Sequence, residues 1–283
     1  MKLSIITINY NNSKGLLKTI NSILNQTYTE FEYIVIDGGS NDGSLEHIER
    51  NASKITYWVS EPDKGIYNAM NKGILASRGE YLLFLNSGDV LYDSKVIESV
   101  VDRLCNDDFI IGKMEFENTK EVNTLPHELS LLRFIEKSIP HPSTFIKRSV
   151  MLKYMYDEKF KIVSDWKFFM QALIFDNSSY KYLDTVVVLF ETSGVSSTNV
   201  HLVEIEREMV LREIVPDRIR LDYLRFLNGK EYSGDLYDRF FAKVKKYSVG
   251  RIIYTFSVLV VRLLSLFKKN LRYVKAYPLF IKL

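Results

Sequence analysis

The chain has 283 residues, 46% of them hydrophobic and 13% aromatic, which is room for one large catalytic domain with an appendage or for two small domains. Only 6 prolines and no low-complexity segment exclude long disorder, and the single cysteine, Cys105, excludes a disulfide framework and a cysteine-based zinc site and fits a reducing compartment. The net charge of +3 hides an asymmetry: Arg239 to Leu283 holds eleven Lys and Arg and no Asp or Glu, so everything before it carries a net −8. Basic tails of this kind meet membranes or nucleic acid.

The N-terminus carries one charge and an apolar run that ends at Asn9, too short for a secretory signal and readable as a first strand, Leu3 to Ile8. Asn12 or Ser13 can cap a helix over Leu16, Leu17, Ile20, Ile23 and Leu24, which recur at helical spacing. Phe31 to Ile36 predicts a second strand, closed by Asp37-Gly38-Gly39-Ser40. A helix from Asp42 or Ser44 through Ile48 follows, then a strand over Ile55 to Val59, a helix over Ile66 to Leu75 and a strand over Tyr81 to Leu85. Val96 to Leu104 predicts another helix and Phe109 to Ile111 another strand. This alternation implies an α/β domain, a mostly parallel sheet covered on both faces. From about Thr124 the pattern loosens. Pro140-His141-Pro142 is a stiff elbow, Ser164 to Ile174 predicts a helix, Tyr182 to Phe190 a strand, and Gly194 to Asn199 a polar loop. Beyond Val215-Pro216 the chain reads as helical and increasingly basic.

Ligands of such sheets bind outside the carboxyl ends of the strands. Three strands here end in polar turns: Asn9-Tyr10-Asn11-Asn12, Asp37 to Ser40, and Asn86-Ser87-Gly88-Asp89. The last is either an ordinary turn capping the next helix or the carboxylate arm of a divalent cation site. Magnesium and manganese take oxygen ligands, often only one or two carboxylates plus substrate phosphates, and act as Lewis acids on a leaving diphosphate. Asp37 is either a surface turn residue or an acceptor for a base N–H. Lys64 and the helix start beside it can face an anion, while Asp63 can be a plain N-cap. Asp165 follows apolar residues at a helix start, which suits a cap, a general base, or both. His141 is either structural or a contact for acceptor or phosphate, and His201 can reach metal or pyrophosphate from beyond the polar loop. No P-loop, no dinucleotide fingerprint after the first strand and no Ser-His-Asp elbow are present.

Taken together, Ser4 to Asn11, Gln26-Thr27-Tyr28, Ile34 to Gly43, Lys64-Gly65 through Asn71-Lys72-Gly73, Phe84 to Asp89 and Ser164-Asp165-Trp166 resemble, in order, the blocks of glycosyltransferase family 2 over residues 1 to about 200. The resemblance implies a GT-A fold, Rossmann-like with a mostly parallel sheet, and an inverting transferase using a nucleotide sugar, with UDP-sugars the default, and Mn2+ or Mg2+. It assigns Asp165 as general base and Asp89 as metal ligand. Donor contacts fall on Thr7, Asn9, Tyr10, Asp37, Gly39, Lys64, Asn71, Asn86 and Ser87. His141, Trp166 and His201 are candidate acceptor or phosphate contacts. Asn86 and Gly88 stand where many members carry aspartate, Gly38 where a second Asp is frequent, and Ser164 where Glu precedes the base.

The expected organisation is a catalytic domain over 1–215, with a nucleotide-sugar half to about 112 and an acceptor half from 113, followed by a helical membrane-associating region over 216–283. Within the tail, Arg251, Thr255, Arg262, Ser265, Lys269 and Arg272 recur at spacings of three and four, broken only at Val258, beside a wide apolar face. The uncharged stretch Ile252 to Val261 is ten residues, and a spanning helix needs about 20. An interfacial helix on anionic lipid is the expectation, with docking on the catalytic domain or a second subunit as the alternative. The enzyme is then expected in the cytoplasm, peripheral on the inner face of the cell membrane, glycosylating a glycan or lipid-linked glycan of a bacterial surface polysaccharide. The apolar face fits lipid better than nucleic acid, and a homo-oligomer stays open. The rivals are a sugar nucleotidyltransferase, which wants a glycine-rich basic loop that Asn9 to Ser13 does not provide, and a catalytically inactive membrane-surface scaffold of the same fold.

Overall fold

The computed structural model describes residues 1–227 except 126–127, 137, 193 and 195–198. It divides into two compact units, Met1–Ile214 and Val215–Leu283. The described part of the second is one helix, Asp217–Leu227; the predicted basic stripe lies outside the described residues. Among the described residues no helix is long and apolar enough to cross a membrane.

The first unit opens with β1 (Leu3–Asn9), α1 (Ser13–Leu24), β2 (Glu32–Asp37), α2 (Ser44–Arg50), β3 (Tyr57–Ser60), α3 (Ile66–Ala76) and β4 (Tyr81–Phe84). These match the predicted strands and helices within about two residues. Asn12 caps α1, its side chain accepting from Gly15 N–H at 3.1 Å. β5 (Val90–Leu91), α4 (Val96–Val100) and β6 (Phe109–Phe116) follow. Then come α5 (Leu131–Glu136), β7 (Thr144–Lys147), α6 (Arg148–Tyr154), α7 (Ser164–Phe169), β8 (Tyr180–Phe190) and α8 (Val200–Ile214). Three expectations need correction. The helix expected to run to Ile174 stays α-helical only to Phe169 and then widens into a π-helix over Met170–Phe175. The helix expected to Leu104 ends at Val100 and tightens into a 3-10 turn. β5 and β7 were not foreseen: β5 is two residues, too short for periodicity, and β7 is set by its antiparallel pairing with β4 and β6.

All eight strands form one sheet in the order β3-β2-β1-β4-β7-β6-β8-β5. β3, β2, β1 and β4 are parallel, β7 runs against both β4 and β6, β8 is parallel to β6, and β5 is antiparallel to β8. β1, β2 and β4 are buried along their whole length, which explains their continuous apolar runs. The register decides the site. Asn9 lies opposite Asp37, and Asp37 opposite Ser60, so three polar side chains come level at the carboxyl ends of β1, β2 and β3.

α3 packs on this sheet through Gly73. A Cβ at Gly73 would lie 2.5 Å from Ile6 Cγ2, on a β-branched side chain with little freedom to swing away. Helix propensity favours Gly73→Ala by about 1 kcal/mol, but overpacking costs about 1–3 kcal/mol. Urea unfolding should therefore show Gly73→Ala less stable than the parent by about 1 kcal/mol.

Candidate active site

The site is assembled at the carboxyl ends of the parallel strands. Asp37 is fully buried. Its Oδ1 accepts from Asn9 Nδ2 at 2.7 Å and Ser40 Oγ at 2.6 Å, and its Oδ2 from Ser60 Oγ at 2.6 Å and Ser40 N–H at 2.9 Å. Burial alone would raise this carboxyl, but the donors outweigh it and hold it below the ordinary carboxylate range. Asp37 is thus ionised and already saturated. The side chain ties three strand ends together. Asn9 is 3% exposed, and its Oδ1 has no hydrogen-bond partner. Beside it Tyr10 is 67% exposed and lies against Gly38, a flat aromatic surface at the mouth of the sheet. Gly39 lies against the backbone of Glu61 and Pro62. Lys64 is exposed and its N–H donates to Asn68 Oδ1 at 3.2 Å; Asp63 accepts from Gly65 N–H at 2.8 Å, while Gly65 takes the N-cap position.

Two further donor candidates lie away from the mouth. Thr7 is fully buried, its hydroxyl accepting from Tyr33 Oη at 3.3 Å. Asn71 is 8% exposed and clasps the Tyr156 backbone, accepting from its N–H and donating to its carbonyl, both at 2.9 Å. Both side chains are spent on the scaffold.

The turn from Asn86 to Asp89 is held from below by Thr19 on α1. The Thr19 hydroxyl accepts from Gly88 N–H at 3.0 Å and donates to the Asp89 carbonyl at 2.7 Å. Asn12 Nδ2 donates to the Ser87 carbonyl at 3.0 Å. Asp89 is 5% exposed, and its Oδ1 accepts from Glu191 N–H at 3.0 Å. Gly88 has φ +111°, and any side chain there would strike the Glu191 carboxylate. Glu191, just past β8, therefore brings a second acid against the turn from 102 residues away. No local motif announces it. Asn86 Oδ1 is buried without a partner. Among the described residues no three His, Cys, Asp or Glu side chains group to hold a metal. The donor set is instead oxygen-only and sparse, Asp89 and Glu191 with the orphaned Asn86 oxygen beside them. That fits a hard cation taking most of its ligands from phosphate and water.

A second cluster forms around Asp165 in the first turn of α7. Tyr67 Oη lies 2.8 Å from Asp165 Oδ1 and 2.5 Å from the Ile162 carbonyl, two acceptors for one proton. Burial first and the Asp165 charge second push the Tyr67 and Tyr156 hydroxyls well above their ordinary value. The His141 ring stacks on Phe84 at 5.3 Å, and its Nε2 is 2.8 Å from Tyr156 Oη. Burial lowers its pKa against the pull of Asp165, so His141 is neutral near pH 7. It packs beside the acid, on the Phe84 ring. Trp166 is 3% exposed, with Nε1 donating to the Phe134 carbonyl at 2.9 Å and the Arg207 guanidinium 5.1 Å over its ring. It too is structural, since no face is left for an acceptor. His201 is exposed in the first turn of α8 and is not brought to Asp89 or Asp165. Phe84, at the end of β4, connects the two clusters through His141 and Tyr156.

A single curled α/β sheet, with strand-end turns bearing acids and a carboxylate on a helix beyond them, defines the class: a GT-A-like glycosyltransferase. Residues 4–166 match the family model for glycosyl transferase family 2. An uncharacterized glycosyltransferase of Mycobacterium tuberculosis (strain H37Rv) is 33% identical over 204 residues, 69% of this chain and 77% of the relative. A PGL/p-HBAD biosynthesis glycosyltransferase of Mycobacterium bovis (strain BCG) is 27% identical over 203 residues, 69% of this chain and 79% of the relative. The chain belongs to glycosyl transferase family 2. Two solved structures share the fold. S. aureus TarS 1–349 in complex with UDP-GlcNAc has a TM-score of 0.58 at 23% identity, covering 70% of this chain and 61% of that one. The mannosyltransferase PcManGT of Pyrobaculum calidifontis, in complex with GDP-Man and Mn2+, has a TM-score of 0.56 at 13% identity, covering 89% and 82%.

Burial raises the Asp89 carboxyl to about 7 from its ordinary 3.8, with the charges of Glu191 and Glu117 adding to it and the Glu191 N–H opposing. The folded state thus holds a proton that the unfolded chain has released. That contribution is complete below pH 3.8, declines above it and is gone once pH passes about 7. In metal-free buffer, urea unfolding should show stability falling between pH 5 and 7 by up to about 1.4 kcal/mol per unit from this group, and Asp89→Asn should remove that part of the slope.

Proposed function

We propose that the protein is an inverting glycosyltransferase that moves a sugar from a nucleotide-sugar donor, a UDP-sugar first among candidates, to a hydroxyl of a glycan or lipid-linked glycan acceptor. The observation that carries the reading is the convergence, at one end of the sheet, of the Asn9, Asp37 and Asn86 to Asp89 turns, joined through Phe84 and His141 to the Asp165 cluster. Tyr10 offers its exposed ring to the nucleotide base, and the unpartnered Asn9 Oδ1 supplies an acceptor near it. Asn86 and Ser87 line the donor's ribose and phosphates, with Lys64 on the exposed loop opposite. Asp37, Thr7 and Asn71 serve by fixing the backbone that carries these groups. Asp89 and Glu191 would hold a divalent cation, which would supply charge neutralisation to a leaving diphosphate.

Asp165 removes the proton of the acceptor hydroxyl. The acceptor oxygen bonds to the anomeric carbon on the face opposite the diphosphate while the carbon–phosphate-oxygen bond breaks, with oxocarbenium character at the carbon. Tyr67 orients the Asp165 carboxylate through the one hydroxyl proton it shares between Oδ1 and the Ile162 carbonyl. The UDP-GlcNAc and GDP-Man in the related structures belong to TarS and PcManGT; they support the donor class here. A panel of UDP-, GDP- and dTDP-sugars with Mn2+ should show turnover with one nucleotide class. With that donor, Asp165→Asn should lower kcat by about 100-fold or more, within the range for a general base, while calorimetric donor affinity changes by less than about threefold. Full turnover by Asp165→Asn would remove Asp165 from this role.

We infer also that the basic tail, Arg239 to Leu283, seats the enzyme on an anionic membrane, the place where a lipid-linked acceptor of a surface polysaccharide is met. Its charge and the three-and-four spacing of its polar stripe support this. In co-sedimentation with vesicles containing phosphatidylglycerol, the full chain should pellet at low salt and a chain ending near Lys243 should stay in solution; equal retention of the two would overturn the tail's role.

A further inference from the structure

The amides ahead of Asp165 are capped from another helix. Val163 occupies the N-cap position of α7, and its side chain makes no capping hydrogen bond. A helix start leaves several N–H groups without intrahelical partners, and burying them unpaired is costly. Glu206 on α8 meets the N–H of the N-cap residue Val163 and those of the two residues that lead into the helix, Lys161 and Ile162. It is 5% exposed, and its carboxylate accepts from the N–H groups of Lys161 at 2.8 Å, Ile162 at 2.9 Å and Val163 at 3.2 Å. On the other side Tyr67 Oη is 2.5 Å from the Ile162 carbonyl. Ile162 is therefore held by its amide from α8 and by its carbonyl from α3, three residues before the acid.

The rest of α8 grips the far side of Asp165. Arg207 lies over the Trp166 ring, and Glu213 accepts from Lys167 Nζ at 2.7 Å and Lys159 Nζ at 2.5 Å. Glu206 and Val210, four residues apart, lie on the buried face of α8, with Val210 fully buried, and Glu213 lies at its exposed edge. Each of these contacts falls on the segment that carries the acid, before it or after it.

We propose that Glu206 is the positioning residue for Asp165: a carboxylate supplied by α8 that caps α7 and fixes the acid against the acceptor. The proposal rests on the reading of Asp165 as general base. Only a carboxylate suits the place, because three N–H donors converge on it. The amide of a Gln offers one acceptor oxygen and turns an NH2 toward the remaining donors. Ionised acceptors also form the stronger hydrogen bonds and favour a helix N-terminus. A small displacement of a reacting group costs about 100-fold in rate when geometry is the source of catalysis.

The test is a double-mutant cycle on the full chain with Glu206→Gln and Asp165→Asn, reading kcat, donor KM, calorimetric donor affinity and thermal midpoint. Glu206→Gln is expected to lower kcat by about 10- to 100-fold with donor affinity within about threefold. On the Asp165→Asn background it should change the residual kcat by less than about twofold, because a positioning group has no effect once its client is gone. An equal fold-loss on both backgrounds, or a loss of donor affinity in step with kcat, overturns the proposal. If Asp165→Asn alone keeps full turnover, the base reading has failed, and that single variant shows it whatever Glu206 does. Should Glu206→Gln not fold, Glu206→Asp, which keeps the charge and withdraws it by one methylene, carries the same cycle: a parental kcat overturns the proposal, and a reduced kcat that vanishes on the Asp165→Asn background supports it.

Discussion

A carboxylate taken out of water must be met by donors, and the four hydrogen bonds to Asp37 decide where three strands of the sheet end. Asn9 contributes one from β1, Ser60 one from β3, and Ser40 two from the turn that follows β2. Because the strands are parallel and in register, their carboxyl ends open on the same side, and a single buried charge can gather all three. The Asn86 to Asp89 turn joins them through Thr19 and Asn12, which belong to the first helix and its cap. The mouth of the sheet is thus cross-linked by side chains whose hydrogen bonds are used up internally. The Asn9 and Asn86 oxygens stay without a partner there, and the Tyr10 ring is exposed.

The acid on α7 is held by a different principle. No strand end carries it. Its place follows from aromatic packing beneath and hydrogen bonds on either side. Phe84, His141, Tyr156, Phe168 and Phe169 form a continuous ring stack below it, and Tyr67 touches it directly. The neutral imidazole of His141 belongs to this apolar floor. A protonated one would need a counter-charge there, and burial removes the proton instead.

Much of the first 110 residues was legible because β1, β2 and β4 are buried, mostly apolar runs and the helices between the strands carry helical spacing. Asn12 is the clearest case, a cap in sequence and in structure. β5 and β7 were illegible for the opposite reason, since strands of two and four residues owe their existence to neighbours far along the chain. The candidate site divides in the same way. Asn9, Asp37 and Asp89 could be singled out because strand ends in a parallel sheet are where ligands bind. That Thr7, Asn71 and Trp166 would be consumed by the scaffold was hidden, because their partners, Tyr33, Tyr156 and Phe134, are 26, 85 and 32 residues away. The same distance hid Thr19, Tyr67, Glu191 and Glu206, each of which acts on a segment with which it shares no local pattern.

The contact between Gly88 and Glu191 bears on how sequences of this kind are compared. Read along the chain, the turn carries a single acid, Asp89. In space, the carboxylate of Glu191 occupies the volume that a side chain at position 88 would fill. The two positions are therefore coupled by exclusion: a bulky residue at one is compatible only with a withdrawn residue at the other. A comparison made along the chain treats the two positions as unrelated, whereas one made over the surface of the turn pairs them.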